Sequence, residues 1–287
     1  MLHIRPIQPS NASGAVLSIY EEIRQAFEID TIPLLFQYMA NYEQYFQFMW
    51  DRMKANIQSD GFQEQADAIG IFSAKAIIDV YQPSSFLLEF IKQLHPLEQQ
   101  EIGETIKRLM RINTMLFLLT LDLREGMKSI FIGTQRITQF ASTRGEDFTT
   151  FMQEEMGLSV QNQSKEVQEA SKMLAPLFGS NALVVSHYPD FFAHISVEME
   201  KLRNTSAYLE KRVEMEHVGL KALSSFVQPL GCSYQEFLKL VAGKEHVNEL
   251  LYLLSDTFPS QFPHLVLTTS LMQYSLHLKG GSLVVYE

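Results

Sequence analysis

The sequence predicts an all-α protein built from two tandem helical repeats, and two patterns support this fold. Apolar residues recur every three or four positions along most of the 287 residues, as on one face of a helix. In addition, a shift of 146 residues superposes two long segments of the chain without a gap. We therefore expect helices almost throughout, with a pseudo-two-fold axis between the repeats.

The individual helices follow from the apolar stripes, taken in order. An i, i+3, i+4, i+7 pattern opens the series and comprises Val16, Ile19, Tyr20, Ile23 and Phe27. Similar stripes predict further helices at 42–57, 62–81, 101–123, 208–226 and 245–258. Short breaks with proline or glycine, such as "YQPSS" and "VQPLG", separate them. The tail "SLHLKGGSLVVYE" fits a hairpin or, as we favour, a helix that ends at Gly280.

The internal repeat rests on eight identities between residues 42–83 and the positions 146 residues later. Single residues pair Tyr42 with Tyr188, Phe46 with Phe192, Met53 with Met199 and Glu64 with Glu210. Dipeptides pair Lys75-Ala76 with Lys221-Ala222 and Gln82-Pro83 with Gln228-Pro229. Two unrelated amphipathic helices share some apolar positions by chance, but dipeptides at one unbroken shift favour a duplication.

The duplication divides the chain into three parts. We expect the first repeat at 1–140, a connecting segment at 141–166 and the second repeat at 167–287. Related halves usually pack about a two-fold axis, and the cleft between such halves is a common place for a ligand site. The sequence therefore predicts one compact molecule with its site between the repeats.

Composition and charge exclude several classes of protein. The chain is 46 % hydrophobic with a formal net charge of -10, which is typical of a folded, soluble protein. No cluster of lysine and arginine indicates a nucleic acid or an anionic membrane as partner. The longest apolar run, 115–121, is far shorter than the ~20 residues that span a bilayer. The N-terminus also lacks the apolar region of a secretory signal, so we expect a cytoplasmic protein.

The sequence offers little for metal or redox chemistry. A single cysteine, Cys232, excludes an internal disulfide and a C-x-x-C pair, and with that pair the helical peroxidases that reduce alkyl hydroperoxides. Glu214 and His217 have the spacing of a metal site in a helical bundle, but a second such pair is missing. Phosphate-binding loops, dinucleotide fingerprints and G-x-S-x-G turns are missing too. We expect no metal and no cofactor.

Two polar residues attract attention before any comparison is made. Asp190 follows a proline at the start of a predicted helix, where a carboxylate faces the positive end of the helix dipole. This is ordinary helix-start chemistry, and a catalytic acid or base is the alternative. Asn113 lies where the polar part of helix 101–123 gives way to "MLFLLTL". A buried amide needs hydrogen bonds, so Asn113 either satisfies the local backbone or lines a polar pocket.

Two segments resemble a known family. "IPLLFQYMANYEQYFQFMWDRMK" and its weaker echo "LFGSNALVVSHYPDFFAHISVEMEKL" are similar to the two repeats of the all-helical, cofactor-free group I 2-haloacid dehalogenases. This resemblance implies that an aspartate activates a water, which attacks C2 of a small 2-haloalkanoic acid and expels halide without a covalent ester. Both enantiomers would react, with inversion. It also implies a small 2-substituted carboxylic acid as ligand and, from the family's habit, a homodimer.

The resemblance further implies residues of a site. Asn113 matches the asparagine that holds the aspartate and the water, and Ser180 matches the serine of a Ser-Asp-Tyr-Arg-like stretch. Asn181 stands where that stretch has the catalytic aspartate. The apolar lining would come from Leu35, Phe36 and Leu116.

Asparagine at position 181 changes the expected chemistry. A carboxylate can take a proton from water, whereas the Asn181 amide can orient a water but not deprotonate it near neutral pH. Loss of a general base costs about 10²–10⁴ in rate, or ~3–5 kcal/mol of barrier. We expect weak activity unless Asp190 or His187 serves as the base. The alternative is a non-catalytic carboxylate-binding or structural protein that kept the fold.

Overall fold

Helices are the regular secondary structure of the described part of the chain. A computed structural model describes residues 3–133 and 188–277, and no strand lies among them, so the predicted all-α class is confirmed. The helices are α1 Gly14–Phe27, α2 Leu34–Met39, α3 Glu43–Ile57, α4 Asp60–Val80, α5 Ser85–Gln93, α6 Pro96–Gly133, α7 Pro189–Arg203, α8 Ser206–Ala222, α9 Tyr234–Leu240, α10 Val247–Tyr252 and α11 Phe258–His277. A π-helical turn, Leu253–Thr257, joins α10 to α11.

Several predicted features lie outside the described residues. They are the connecting segment 141–166, the site residues Ser180 and Asn181, the alternative base His187 and the helix end at Gly280. These features stay predictions. In the described ranges, no helix combines the length and the apolar character that crossing a membrane requires.

Helix α1 confirms the apolar stripe predicted for it. Its buried side chains are Val16, Ile19, Tyr20, Ile23 and Phe27. The helix ends because Glu28 adopts a left-handed conformation with φ of 56°, and its backbone N–H closes on the Arg24 carbonyl. The 3.6-residue period of the sequence therefore fixes both the helix and the face that it buries.

The described residues fall into two compact units. Unit 1 comprises 3–66, 115–133 and 219–262, and unit 2 comprises 67–114, 188–218 and 263–277. Each unit thus draws on residues of both predicted repeats. Each unit is therefore assembled from chain segments that are distant in sequence.

Aromatic side chains fill much of the core of unit 1. The ring of Phe36 in α2 lies 5.7 Å from that of Phe27 and 5.9 Å from that of Trp50, centroid to centroid. Such pairs contribute about 0.5–1.5 kcal/mol beyond the burial of their area. The Trp50 indole N–H donates to the Glu22 carboxylate at 2.8 Å, which satisfies its one polar atom. These contacts pack α1, α2 and α3 together.

In unit 1, helix α3 also binds the Gln-Pro segment that follows α8. The fully buried Asn56 donates from Nδ2 to the Gln228 carbonyl at 2.7 Å. Its Oδ1 accepts the Gln228 N–H at 3.0 Å. Both ends of the amide are therefore used, and Asn56 ties the loop after α8 to helix α3.

In unit 2, helix α7 makes the corresponding contact with the segment that follows α4. The buried Glu198 carboxylate accepts a hydrogen bond from the Tyr81 hydroxyl at 3.0 Å and from the Ser84 N–H at 3.2 Å. Tyr81 and Ser84 flank the other Gln-Pro dipeptide, Gln82-Pro83. In each unit, a helix from one predicted repeat thus holds the Gln-Pro segment of the other.

Helices α3 and α7 share their length, their start and their buried face. Each has 15 residues and follows a tyrosine, Tyr42 or Tyr188, with the two tyrosines 146 positions apart. At the same shift, the buried residues Tyr45, Phe46, Met49, Trp50, Met53 and Asn56 correspond to Phe191, Phe192, Ile195, Ser196, Met199 and Leu202.

The turns that follow these two helices are also alike. Ser59 Oγ accepts the Phe62 N–H at 3.3 Å and donates to the carbonyl three residues earlier at 2.8 Å. Thr205 Oγ1, 146 positions later, accepts the Tyr208 N–H at 3.3 Å and donates to the carbonyl three residues earlier at 2.8 Å. The same side-chain caps therefore start α4 and α8.

Candidate functional site

Asn113 has an unusual environment for a fully buried amide. It lies in α6, and its Nδ2 donates to the Thr269 hydroxyl of α11 at 3.0 Å. No described residue donates to its Oδ1. The sequence left two alternatives open, a hydrogen bond to the local backbone or a polar pocket. For Nδ2 the first alternative is wrong, because the hydrogen-bond partner of Nδ2 lies 156 positions away. The polar pocket stays a prediction.

Other buried hydroxyl groups lie on the helices of unit 2. Thr269 Oγ1 donates to the Leu265 carbonyl at 2.8 Å, so its lone pairs stay available to Asn113. The next residue, Ser270, pairs with Ser73 of α4, with 2.6 Å between the hydroxyl oxygens. Sequence reasoning missed these residues. The polar run Thr268–Thr269–Ser270, between the apolar stretches 265–267 and 271–272, is the signal that could have found them.

The predicted apolar lining residues are buried in unit 1. Leu35 and Phe36 belong to α2, and Leu116 belongs to α6. Phe36 packs in the aromatic core described above, which accounts for its size and shape without any ligand. Their role as a lining therefore stays a prediction.

Asp190 lies where the helix-start interpretation expects it. Pro189 is the first residue of α7, Asp190 is in its first turn, and the Asp190 side chain is exposed. One turn later, His194 packs 4.4 Å from the Phe90 ring, centroid to centroid. Burial lowers the pKa of His194, and the charge of Asp190 opposes that effect. An exposed carboxylate at a helix start needs no catalytic explanation.

Cys232 and Glu214 take the ordinary roles that the sequence suggested. Cys232 is buried, and burial raises the pKa of its thiol to about 11, which keeps it protonated and unreactive near neutral pH. Glu214 accepts a hydrogen bond from Lys211, one turn away in α8, at 3.1 Å. In the described ranges, the histidines and acids that lie close enough to share a metal ion are His3, His246 and Glu249 instead.

The family comparison covers the part of the chain that contains Asn113. Residues 30–149 match the model of the family described as "Halocarboxylic acid dehydrogenase DehI". The matched segment includes Leu35, Phe36, Asn113 and Leu116 but ends before Asn181. A comparison with curated proteins finds no match.

Solved structures match the chain over nearly its whole length. A D-2-haloacid dehalogenase mutant is 15 % identical with a TM-score of 0.73, and the match covers 96 % of this chain and 97 % of that one. The complex of D-2-haloacid dehalogenase with L-LA is 14 % identical with a TM-score of 0.73, over 96 % and 98 % of the two chains. A mutant complex with D-2-CPA is 16 % identical with a TM-score of 0.70, over 96 % and 97 %.

These matches establish the fold, and the family match confirms the resemblance predicted from the sequence. At such low identities, they leave the chemistry to the residues of this chain.

Proposed function

We propose that this chain, whose residues 30–149 match the halocarboxylic acid family model described above, binds a small 2-substituted carboxylic acid. The family reaction is the hydrolytic removal of halide from C2 by a water. D-2-haloacid dehalogenase, which has the same fold, forms complexes with lactate and 2-chloropropionate. A ligand of that chemical class fits this chain, and its turnover is slow because residue 181 is an asparagine.

The buried amide of Asn113 is the observation that carries the proposal. Thr269 fixes its Nδ2, while its Oδ1 has no donor among the described residues. A buried acceptor without a donor costs about 1–3 kcal/mol, so folding alone gives no reason to keep it. A water held by this oxygen, beside C2 of the ligand, supplies the missing hydrogen bond and is positioned for attack.

Asn181 sets the limit on the rate. In the family, the equivalent carboxylate takes a proton from the attacking water. The water oxygen then bonds to C2 while the bond between C2 and the halogen breaks and halide leaves. The Asn181 amide accepts a hydrogen bond from that water but cannot hold its proton. The water then attacks while it is still protonated and passes its proton to a second water afterwards, which slows the reaction by about 10²–10⁴.

The other sequence-derived residues complete the arrangement. Ser180, next to Asn181, donates to the ligand carboxylate. Leu35, Phe36 and Leu116, all buried, supply the apolar lining that excludes bulk water. The reaction needs no metal and no cofactor in this account.

An internal duplication underlies the proposed site. The equal lengths of α3 and α7, their tyrosine starts and their matching buried positions support it. The equivalent caps at Ser59 and Thr205 support it as well. The proposed site takes Asn113 from the first repeat and Asn181 from the second. A homodimer of such a chain, proposed from the family resemblance, is checked by light scattering.

Chloride release from both enantiomers of 2-chloropropionate tests the proposal. The purified protein should release chloride slowly from both, and Asp190→Asn should release it at the same rate, because the exposed Asp190 only starts α7. Rapid release that disappears in Asp190→Asn would contradict the proposal and make Asp190 the base.

A non-catalytic carboxylate-binding protein is the second candidate, and the asparagine at position 181 favours it. The discriminating measurement combines calorimetric titration with lactate and the chloride assay. Binding of lactate with no chloride release above the enzyme-free rate supports the second candidate. Slow chloride release that Asn113→Leu abolishes supports the first.

A further inference from the structure

Two histidines and a glutamate meet in unit 1, and none of them belongs to the proposed site. His3 lies in the N-terminal segment, His246 immediately precedes α10, and Glu249 is in the first turn of α10. One side-chain nitrogen or oxygen from each residue lies within 4.8 Å of those of the other two. No local pattern predicts this cluster, because His3 and Glu249 are 246 positions apart.

Hydrogen bonds hold the Glu249 carboxylate in one orientation. Its Oε2 accepts the backbone N–H groups of His3, at 2.6 Å, and of Ile4, at 2.9 Å. Its Oε1 then faces the imidazoles, 3.0 Å from His3 Nδ1 and 3.3 Å from His246 Nδ1. Oε2 is thus used by the backbone, whereas Oε1 pairs with His3 Nδ1 and also faces His246 Nδ1.

The charge of Glu249 suits a cation. The backbone N–H groups of His3 and Ile4 point at its Oε2, and such donors favour the ionised carboxylate. The side chain is 10 % exposed, so its charge is poorly screened by water. An ionised, partly buried carboxylate is stabilised by a positive ion close to Oε1.

The two imidazoles are accessible and already close together. Their rings stack with 5.4 Å between centroids and an angle of 12° between planes. The side chain of His3 is 72 % exposed and that of His246 is 41 % exposed, so an ion reaches them from solvent. In addition, Glu245 Oε2 lies 3.8 Å from His246 Nε2. A histidine that binds a metal through one ring nitrogen commonly donates a hydrogen bond from the other to a carboxylate.

We propose that His3, His246 and Glu249 bind one Zn²⁺ ion, with water as the fourth ligand. Bonds of about 2.0–2.1 Å in a tetrahedron separate the ligand atoms by roughly 3.3 Å, close to the observed 3.0 and 3.3 Å. Two imidazoles and one carboxylate favour zinc over magnesium or calcium, which prefer all-oxygen sites. The ion ties residues 3 and 4 to the start of α10.

Zinc titration of the tag-free, chelator-treated protein tests the proposal. Calorimetry should give one zinc per chain and a higher thermal midpoint with zinc than without it. His3→Ala and His246→Ala should each weaken binding by at least about 10-fold, since even changes around a ligand cost that much. Glu249→Gln still accepts the backbone N–H groups but lacks the charge, and it should also lose zinc.

His217→Ala is the matched control, because His217 lies in α8 of unit 2 and has no part in the cluster. Its zinc affinity and stoichiometry should equal those of the unmodified protein. The proposal is overturned if the unmodified protein binds no zinc at micromolar concentrations. It is also overturned if the His3→Ala/His246→Ala double variant binds zinc as the unmodified protein does. Neither readout depends on chloride release.

Discussion

At the scale of single residues, two fully buried asparagines are satisfied to different degrees. Asn56 uses both amide atoms on the Gln228 backbone, at 2.7 and 3.0 Å. Asn113 uses only its Nδ2, and Oδ1 has no donor among the described residues. The first amide stabilises the fold, whereas the second carries a cost that the fold does not require.

A pair of leucine substitutions separates these roles. Asn56→Leu should lower the free energy of unfolding by about 2–3 kcal/mol, because it leaves the Gln228 N–H and carbonyl unpaired. Asn113→Leu should leave stability unchanged or raise it, because it removes an unsatisfied acceptor. Urea unfolding of both variants provides the comparison. A loss of stability in Asn113→Leu as large as that in Asn56→Leu would assign Asn113 a purely structural role.

The buried carboxyl group of Asp122 also lowers the stability of the fold when it is ionised. Its carboxyl is 8 % exposed and accepts the Leu230 N–H at 2.9 Å. Burial raises its pKa to about 6, although that hydrogen bond opposes the shift, and the charge of Glu125 adds to it. The folded state therefore binds a proton more tightly than the unfolded state does. The contribution of Asp122 to stability is greatest below pH ~4 and falls as pH rises to ~6.

Asp122→Asn should stabilise the protein at neutral pH. Asparagine still accepts the Leu230 N–H but has no charge to desolvate, so unfolding at pH 7.5 should cost about 1–3 kcal/mol more than for the unmodified protein. At pH 4, where the native carboxyl is protonated, the difference should shrink towards zero. Thermal or urea unfolding at both pH values measures it. If Asp122→Asn is less stable than the unmodified protein at pH 7.5, the buried charge of Asp122 does not destabilise the fold.

At the scale of elements, two of the glycines in helix α6 lie in contrasting surroundings. A Cβ on Gly126 would lie 2.7 Å from the Gly231 Cα and 2.9 Å from its nitrogen, both of them backbone atoms. A Cβ on Gly103 would meet nothing closer than the Leu276 Cδ2 at 3.6 Å, which is ordinary contact. Close approach of two backbones in unit 1 therefore requires Gly126, and nothing comparable requires Gly103.

Alanine at these two positions should act in opposite directions. Gly126→Ala should lower the free energy of unfolding by about 1–3 kcal/mol, because the Gly231 backbone has to move. Gly103→Ala should raise it by up to about 1 kcal/mol, because alanine favours a helix. Circular dichroism during urea unfolding measures both. Equal effects of the two substitutions would contradict the close approach.

The sequence predicts those features of the helices that depend on neighbouring residues alone. The stripe of α1 follows from periodicity alone, and Pro189 marks the start of α7. The predicted helix 245–258 begins two residues later, at Val247, and is interrupted by the π-helical turn Leu253–Thr257. An inserted turn of this kind depends on tertiary packing and leaves no clear trace in the apolar period.

The candidate site was predictable only in part, for the same reason. Asn113 stood out because an amide in an apolar stretch is costly. Its partner Thr269 lies 156 positions away, and the pairing of α6 with α11 is a tertiary contact that no local pattern encodes. The His3–Glu249 pair escaped notice because the two residues are 246 positions apart. Asn181 and Ser180 stay predictions, since they lie outside the described residues.

At the scale of the whole molecule, the fold depends on many residues, whereas the proposed activity depends on few. The chain shares its fold with D-2-haloacid dehalogenase at 14–16 % identity, because many interchangeable apolar positions specify the helical core. The proposed chemistry depends on one position, 181, where an amide cannot replace a carboxylate as a base. The chain thus combines this fold and Asn113 with an amide, not an acid, at position 181.

The most direct test restores the acid. Asn181→Asp should release chloride from 2-chloropropionate about 10²–10⁴ times faster than the unmodified protein. Asn204→Asp, which adds the same charge at the exposed end of α7, should have no effect. A rate for Asn181→Asp equal to that of the unmodified protein would contradict the account.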